Sequence, residues 1–442
     1  MTGLIMAGQL ILALAILVTF HELGHYLAAR AFGIKVEKFY LFFDAWGKKL
    51  FSFKKGDTEY GIGWLPIGGY VKIAGMIDES VDTEQLKTEP QPWEFRSKPA
   101  WQRFIVMIGG IVMNLILGFL FYVLVLKGYE KNFVTIDTVN QDGILVGELA
   151  HDLGFRDGDK LVSLNGNEYE RFVDFVTYEA VFGGEMVIDR DGEEKKIEIP
   201  GNLFKQLSRS KGLFIDSKSQ VFLKEDPKEG GGAFDAGLLK GDRITAINDT
   251  VVQSFTHFTK MLKANKGGEI SIDYLRGEAS NNVKASIDTN GILGFKPKIA
   301  RYPDSRKKYT LGSAISYSWK ESWEAVYYNA LGLVKMAQGD VPVKEVKSVI
   351  GMAEFFGGTW DWGWFWRMTA MISLALAFMN ALPIPALDGG HMMFLTYEMI
   401  VGKPAPERVL LVAQYIGMGI LLTLMALTMG NDIWQIIKSK FL

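Results

Sequence analysis

The chain contains no cysteine. Disulfide cross-links and thiolate metal ligands are therefore excluded, and any metal site must be built from His, Asp, Glu or Asn. Histidine is scarce too: His21, His25, His151, His257 and His391 are the only ones in 442 residues. An excess of charge of either sign is also missing, with 48 Lys and Arg against 50 Asp and Glu. No global field draws the chain to nucleic acid or to an anionic partner. At this length a single core is not expected to organise everything, so several domains are.

What the sequence does have is long charge-free apolar runs. They cover residues 4–21, which ends at Glu22, and 104–126, 368–387 and 409–431, each of these three bounded by charge on both sides. About 30 Å of hydrocarbon needs about 20 helical residues, so the expected fold class is an α-helical membrane protein with four transmembrane helices in a lipid bilayer. The first run lacks a positive leading segment and reads as a retained span rather than a cleaved signal peptide. Between the first two spans lie twelve cations (Arg30, Lys35, Lys38, Lys48, Lys49, Lys54, Lys55, Lys72, Lys87, Arg96, Lys98 and Arg103), whereas none precedes the first span. The positive-inside rule makes that loop cytoplasmic and puts both termini and the middle region on the other face. Four tryptophans in "TWDWGWFWRM" (Trp360, Trp362, Trp364, Trp366) form an aromatic belt at the outer entry to the third span.

The middle of the chain carries short β-branched strands and Gly/Asp turns, and it repeats. "LGFRDGDKLVSLNG" (153–166) parallels "AGLLKGDRITAIND" (236–249), with Gly154, Gly158, Asp159 and Asn165 matched by Gly237, Gly241, Asp242 and Asn248. The pattern resembles the PDZ domain, which implies two β-rich, PDZ-like extracytoplasmic modules, at 128–218 and 219–305. They are either binders of peptide ligands or steric gates. An amphipathic interfacial helix and linker are expected at 306–363, with Tyr317, Trp319, Trp323, Tyr327 and Leu331 along one stripe. The remaining divisions are 1–33 and 101–127 for the first two spans, 34–100 for the cytoplasmic loop, 364–391 for the third and 405–442 for the fourth.

Inside the first span stands "HELGH". His21 and His25, four apart, share a helix face and can reach one zinc ion, with Glu22 close enough to act on a water there. A chance occurrence would strand three polar side chains in lipid, each costing kilocalories. A catalytic site needs a third ligand, and the end of the third span, "MNALPIPALDGGHM", supplies Asp388, with His391 as the alternative. Pro383 and Pro385 break the helix there, and irregular backbone at membrane depth is tolerated only in protein or around water. Topology puts both motifs at the cytoplasmic ends of their spans.

The pair "HELGH" and "NALPIPALDGG", with the order of spans and modules around it, resembles the site-2 protease family of intramembrane zinc metalloproteases across essentially the whole chain. The resemblance implies Zn2+ held by His21, His25 and Asp388, with Glu22 as general base. It implies a bacterial inner-membrane enzyme that cuts single-span membrane proteins, namely anti-sigma factors already cut once and signal peptide remnants. One departure from relatives is "VIGMAEF" (349–355), where they carry Gly-Pro before an Ile-Gly-like pair. A spanning helix must be unwound before cleavage and offered replacement hydrogen-bond partners. The loop "GIGWLPIGGYVKIAGM" (61–76), expected as a membrane-associated β-hairpin, is the candidate to supply them through Gly68, Gly69 and Tyr70. Asn114 in "GGIVMNLILG" and Asn380 are further candidate substrate contacts. The rival reading is a membrane-anchored PDZ scaffold with a structural or inactive metal site, which would have no use for Glu22.

Overall fold

The computed structural model describes residues 2–76, 89–130, 132–176, 180, 182–210, 214–300, 306–340 and 348–441. Lys87 and residues 301–305, used above, lie outside them. The chain divides into two compact units, Met1–Lys131 with Tyr309–Leu442, and Asn132–Lys308.

In the first unit, α1 (Thr2–Ala31) meets α2 (Ala100–Leu124) where glycine faces glycine. A Cβ on Gly24 would lie 2.2 Å from the carbonyl oxygen of Gly109, and one on Gly109 2.6 Å from that of Gly24. Only glycine at both positions allows this backbone approach, a small-residue contact of the kind that holds apolar helices together in lipid. The crossing presses the His21–His25 face of α1 against α2. A third helix, α3 (Leu311–Ala337), starts from a capping box between Thr310 and Ser313. It buries Ala314, Ser318 and Ser322 and exposes Trp319, Trp323 and Tyr327, so the expected aromatic stripe is its outer face. Helix α4 (Trp362–Ala381), capped by Asp361, buries Phe365 and Ile372 in a cluster with Leu10, Ala13 and Leu17 of α1 and Leu117 of α2.

Among the described residues, three helices are long and apolar enough to cross a membrane: Gly3–Ala31, Ala100–Glu130 and Arg408–Asp432. The last lies within α6 (Glu407–Phe441), which follows α5 (Asp388–Val401). The expected third span is interrupted where its two prolines stand, so 368–387 is not one helix. Helix α4 stops at Ala381, and α5 restarts the helical path only at Asp388. Pro383 biases Leu382 to an extended conformation (φ −66°, ψ 142°), and each proline lacks the N–H a helix would use. Ala386 then adopts φ 82°, uncommon for a residue with a Cβ. Helix α4 also carries a half-buried charge, Arg367, which Glu130 meets at 2.6 Å and Glu321 at 3.7 Å.

Between α1 and α2 the chain forms β1 (Val36–Phe43), β2 (Lys49–Lys55), β3 (Thr58–Gly63) and β4 (Leu65–Ile73), in the order β2-β3-β1-β4. The hairpin expected over 61–76 is not made. Strands β3 and β4 flank β1, parallel and antiparallel to it respectively. A single residue, Trp64, separates them, and a two-residue turn is the common minimum for a hairpin. Strand β4 is thereby left as an edge, where Pro66 is tolerated. The sheet exposes Trp46, Leu50, Phe51 and Phe53. Its polar groups are internally paired: Lys49 and Tyr40 donate to Glu59 and hold that carboxyl down at about 2.

The second unit has two hydrophobic cores. One gathers Val139, Phe155, Leu161, Phe175 and Met186, and the other Val221, Ile244, Phe258, Ile272 and Ala285. The sequence repeat has a matching bond network. Asp159 accepts from the Arg156 N–H and from Arg190, which also reaches the Gly154 carbonyl. Asp242 likewise accepts from the Leu239 N–H and from Arg276, which reaches the Gly237 carbonyl. Both aspartates are 1% exposed, so the ion pair each makes is what allows its burial.

Candidate metal centre

Helix periodicity sets His21 and His25 side by side on α1, their Nε2 atoms 3.3 Å apart. The break after α4 turns the chain so that α5 begins with Asp388, and its Oδ2 lies 3.3 Å from His21 Nε2 and 3.4 Å from His25 Nε2. Glycines make this turn possible. A Cβ on Gly389 would sit 2.1 Å from the Leu382 carbonyl oxygen, and one on Gly390 2.5 Å from that of Ile384. Gly110 of α2 leaves room on the opposite side, since a Cβ there would come within 2.4 Å of His25 Nε2 and 2.5 Å of the His21 ring.

These three side chains are the only group of three or more potential ligands among the described residues. His391, the alternative third ligand, is not part of it. The donor set suits zinc. Three ligand atoms at about 2.0–2.1 Å from a tetrahedral ion stand about 3.3–3.4 Å apart, which is the spacing found here. Asp388 Oδ2 is buried without a hydrogen bond of acceptable geometry, so its lone pairs are left for a cation.

The surroundings set the tautomers. His25 Nδ1 lies 2.8 Å from the Val106 carbonyl oxygen, so it carries the proton and leaves the Nε2 lone pair facing Asp388. His21 Nδ1 lies 3.3 Å from the Asn114 amide, and His21 Nε2 lies 3.4 Å from Asn380 Nδ2. For His21 Nε2 to bind metal, its Nδ1 must hold the proton, and turning the Asn114 amide over gives that proton an acceptor. Asn114 is 1% exposed and its Oδ1 has no other partner. It therefore sits beside His21, in the place of an orienting residue. Replacing it by Ala should weaken zinc affinity by about 10–100-fold, the usual cost of losing such a partner, while Asp should retain binding. Competition with a chelating dye measures this, and unchanged affinity in the Ala variant would refute the assignment.

Glu22 stands between the ligands in sequence, and its carboxylate accepts a hydrogen bond from the backbone N–H of Val71 in β4. The sequence held no sign of this contact. It brings the sheet edge to the acid. Gly69 is equally close to α1, since its Cβ would lie 2.8 Å from Val18 Cγ1. Gly68 takes φ 147° against the Phe43 ring. The Tyr70 hydroxyl donates to Asp44 at 2.8 Å, and the ring stacks on Tyr40 and Phe43, so this side chain belongs to the sheet face. Of the residues that sequence reasoning missed, Gly24 was detectable only as a small residue in a span, while Val71 and Val106 act through backbone atoms.

Two imidazoles and a carboxylate closing on one point between apolar helices, with a second carboxylate beside them, have the arrangement of a membrane-embedded metallohydrolase. The profile of Peptidase family M50 matches residues 9–424, and the chain belongs to that family, the site-2 proteases. It is thus a zinc metalloprotease by family. Among curated relatives, it is 28% identical to Protease RseP of Yersinia pestis, over 96% of this chain and 97% of that one. It is 28% identical to the Regulator of sigma E protease of Haemophilus influenzae (96% and 98% covered). The Regulator of sigma-E protease RseP of Escherichia coli, strain K12, is also 28% identical (96% and 97% covered).

Proposed function

We propose that this protein is an intramembrane zinc endopeptidase of a bacterial inner membrane that cuts the transmembrane segments of single-span proteins. The observation that carries the reading is the triangle of lone pairs from His21, His25 and Asp388 beside Glu22, with a free sheet edge against that acid. Helix α4 and the break after it make a fourth crossing, with the metal centre near the cytoplasmic face and residues 132–308 outside. Bound zinc supplies Lewis acidity toward the scissile carbonyl and makes water more acidic at neutral pH. Glu22 takes the proton of the attacking water and delivers it to the leaving nitrogen. Asn380 donates toward the reacting group from α4. The substrate, unwound from its helix, adds as a strand to β4 beside Gly68 and Gly69, whose backbone replaces the helical hydrogen bonds it has lost. The names of the sigma-E relatives support anti-sigma factors as substrates, and signal peptide remnants share the single-span form.

The test is cleavage of a single-span protein in proteoliposomes. Dialysis against a chelator should abolish it, and one equivalent of zinc should restore it. Cleavage that survives complete metal removal would refute the reading.

Residues 132–308 carry two PDZ-like modules that act as a size gate against bulky extracytoplasmic domains. Their ends favour a clean deletion, since Asn132 lies opposite Lys308 in paired strands. Excising the unit with a short Gly-Ser bridge should let untrimmed substrates be cut at rates near those of trimmed ones. Selectivity unchanged by the deletion, measured with a matched substrate pair, would rule the gate out.

A further inference from the structure

Beyond the metal centre lies a cavity of about 320 Å³ that the mechanism above does not use. Its floor is apolar, formed by Met76, Phe95, Phe394 and Leu395. Its rim carries Arg103, Glu398 and Arg96, charges that are already engaged: Arg103 pairs with Glu398, and Arg96 pairs at 2.6 Å with the buried Glu94, which is not itself part of the lining. Two of its walls issue directly from the catalytic elements. Pro385 and Ala386 belong to the loop that delivers Asp388, and Gly75 follows the end of β4, whose Val71 touches Glu22.

We propose that this cavity is a substrate subsite. It receives the segment three to five residues from the scissile bond, where apolar transmembrane sequence gives way to polar sequence. The inference rests on the protease reading and on strand addition to β4. A strand advances about 3.3 Å per residue, so the two residues from Val71 to Ile73, where β4 ends, span about 7 Å, and the turn that follows carries Gly75 of the cavity wall. A substrate strand running along β4 from Glu22 therefore passes the end of β4 after about two residues and comes to the cavity wall about one to three residues later. An apolar floor under a rim of mutually paired charges suits an amphipathic peptide junction. A free anion would meet arginines already engaged, and an acyl chain would have to desolvate the rim.

The test uses Ala405, a lining residue in the loop before α6 that takes no part in the chemistry. A benzophenone amino acid at this position, in the full-length protein carrying Glu22→Gln, is photolysed in proteoliposomes with a single-span substrate, and adducts are mapped by mass spectrometry. Adducts clustered three to five residues to one side of the bond cut by the wild type are expected. Adducts to lipid alone, adducts scattered along the substrate, or none would overturn the subsite. As a second arm, Ala405→Trp fills the cavity in the active protein. It should lower kcat/KM about tenfold for a substrate with Leu at the fourth flanking position and spare one with Gly there. An equal loss for both, or no loss, counts against the subsite. Failure of the protease reading would look different: the unmodified protein would cut no substrate at all.

Discussion

Glu22→Gln should lower kcat by about 10²–10⁴-fold and leave zinc content unchanged, because it removes a general base without removing a ligand. Gln is nearly isosteric, and its amide oxygen can still accept from the Val71 N–H, so the edge of β4 stays in place against α1. The proton of the attacking water then has no acceptor of suitable basicity within reach. Measured with a single-span substrate in proteoliposomes, alongside zinc by mass spectrometry, the variant separates two roles. Loss of cleavage with metal retained identifies the base. Loss of both would mean that Glu22 organises the centre, and retention of both would show that Glu22 is not the base.

Asp388→Asn should cost on the order of 10³-fold or more in zinc affinity, exceeding the 10–100-fold typical of outer partners. The carboxylate is the only anionic donor in the group of three, and an amide oxygen in its place leaves a divalent ion with neutral ligands alone. A folding defect is not the expected cause. As the first residue of α5, Asp388 gains only about 0.3–1 kcal/mol from the helix dipole, too little to decide whether the unit folds. His391→Ala should keep its zinc, since His391 lies outside the ligand group and lines the neighbouring cavity instead. Metal content after dialysis, with circular dichroism to verify the fold, checks both variants. A variant pattern in which His391→Ala loses zinc and Asp388→Asn keeps it would reverse the ligand assignment.

Much of this molecule is local, and local features are legible. The pairing of His21 with His25 follows from the helical repeat alone, because residues four apart share a face whatever surrounds them. The interruption at 382–387 follows from two prolines that cannot donate, and the repeated Gly-Asp turns announce a duplicated module. Where the reading stopped short, the cause was chain reversal or backbone contact. The stretch 61–76 has the alternation of a hairpin, but one residue between β3 and β4 prevents the turn, and β1 enters between them. Asn114 stands out in the sequence only as a lone amide in a span, and it is its 3.3 Å approach to His21 Nδ1 that puts it next to the ligand.

By itself, then, the sequence determined the apolar helices, the position of the helix break and which two imidazoles point the same way, since each depends on neighbours within a turn or two. Tertiary structure decided the rest. It brought Asp388 across more than 360 residues to the two histidines, and it set α1 on α2 through Gly24 and Gly109. It also turned the Val71 N–H toward Glu22 and opened a cavity where β4 ends. These depend on where backbones approach closely enough to touch, and backbone atoms are the same in every residue, so no pattern of side chains announces them.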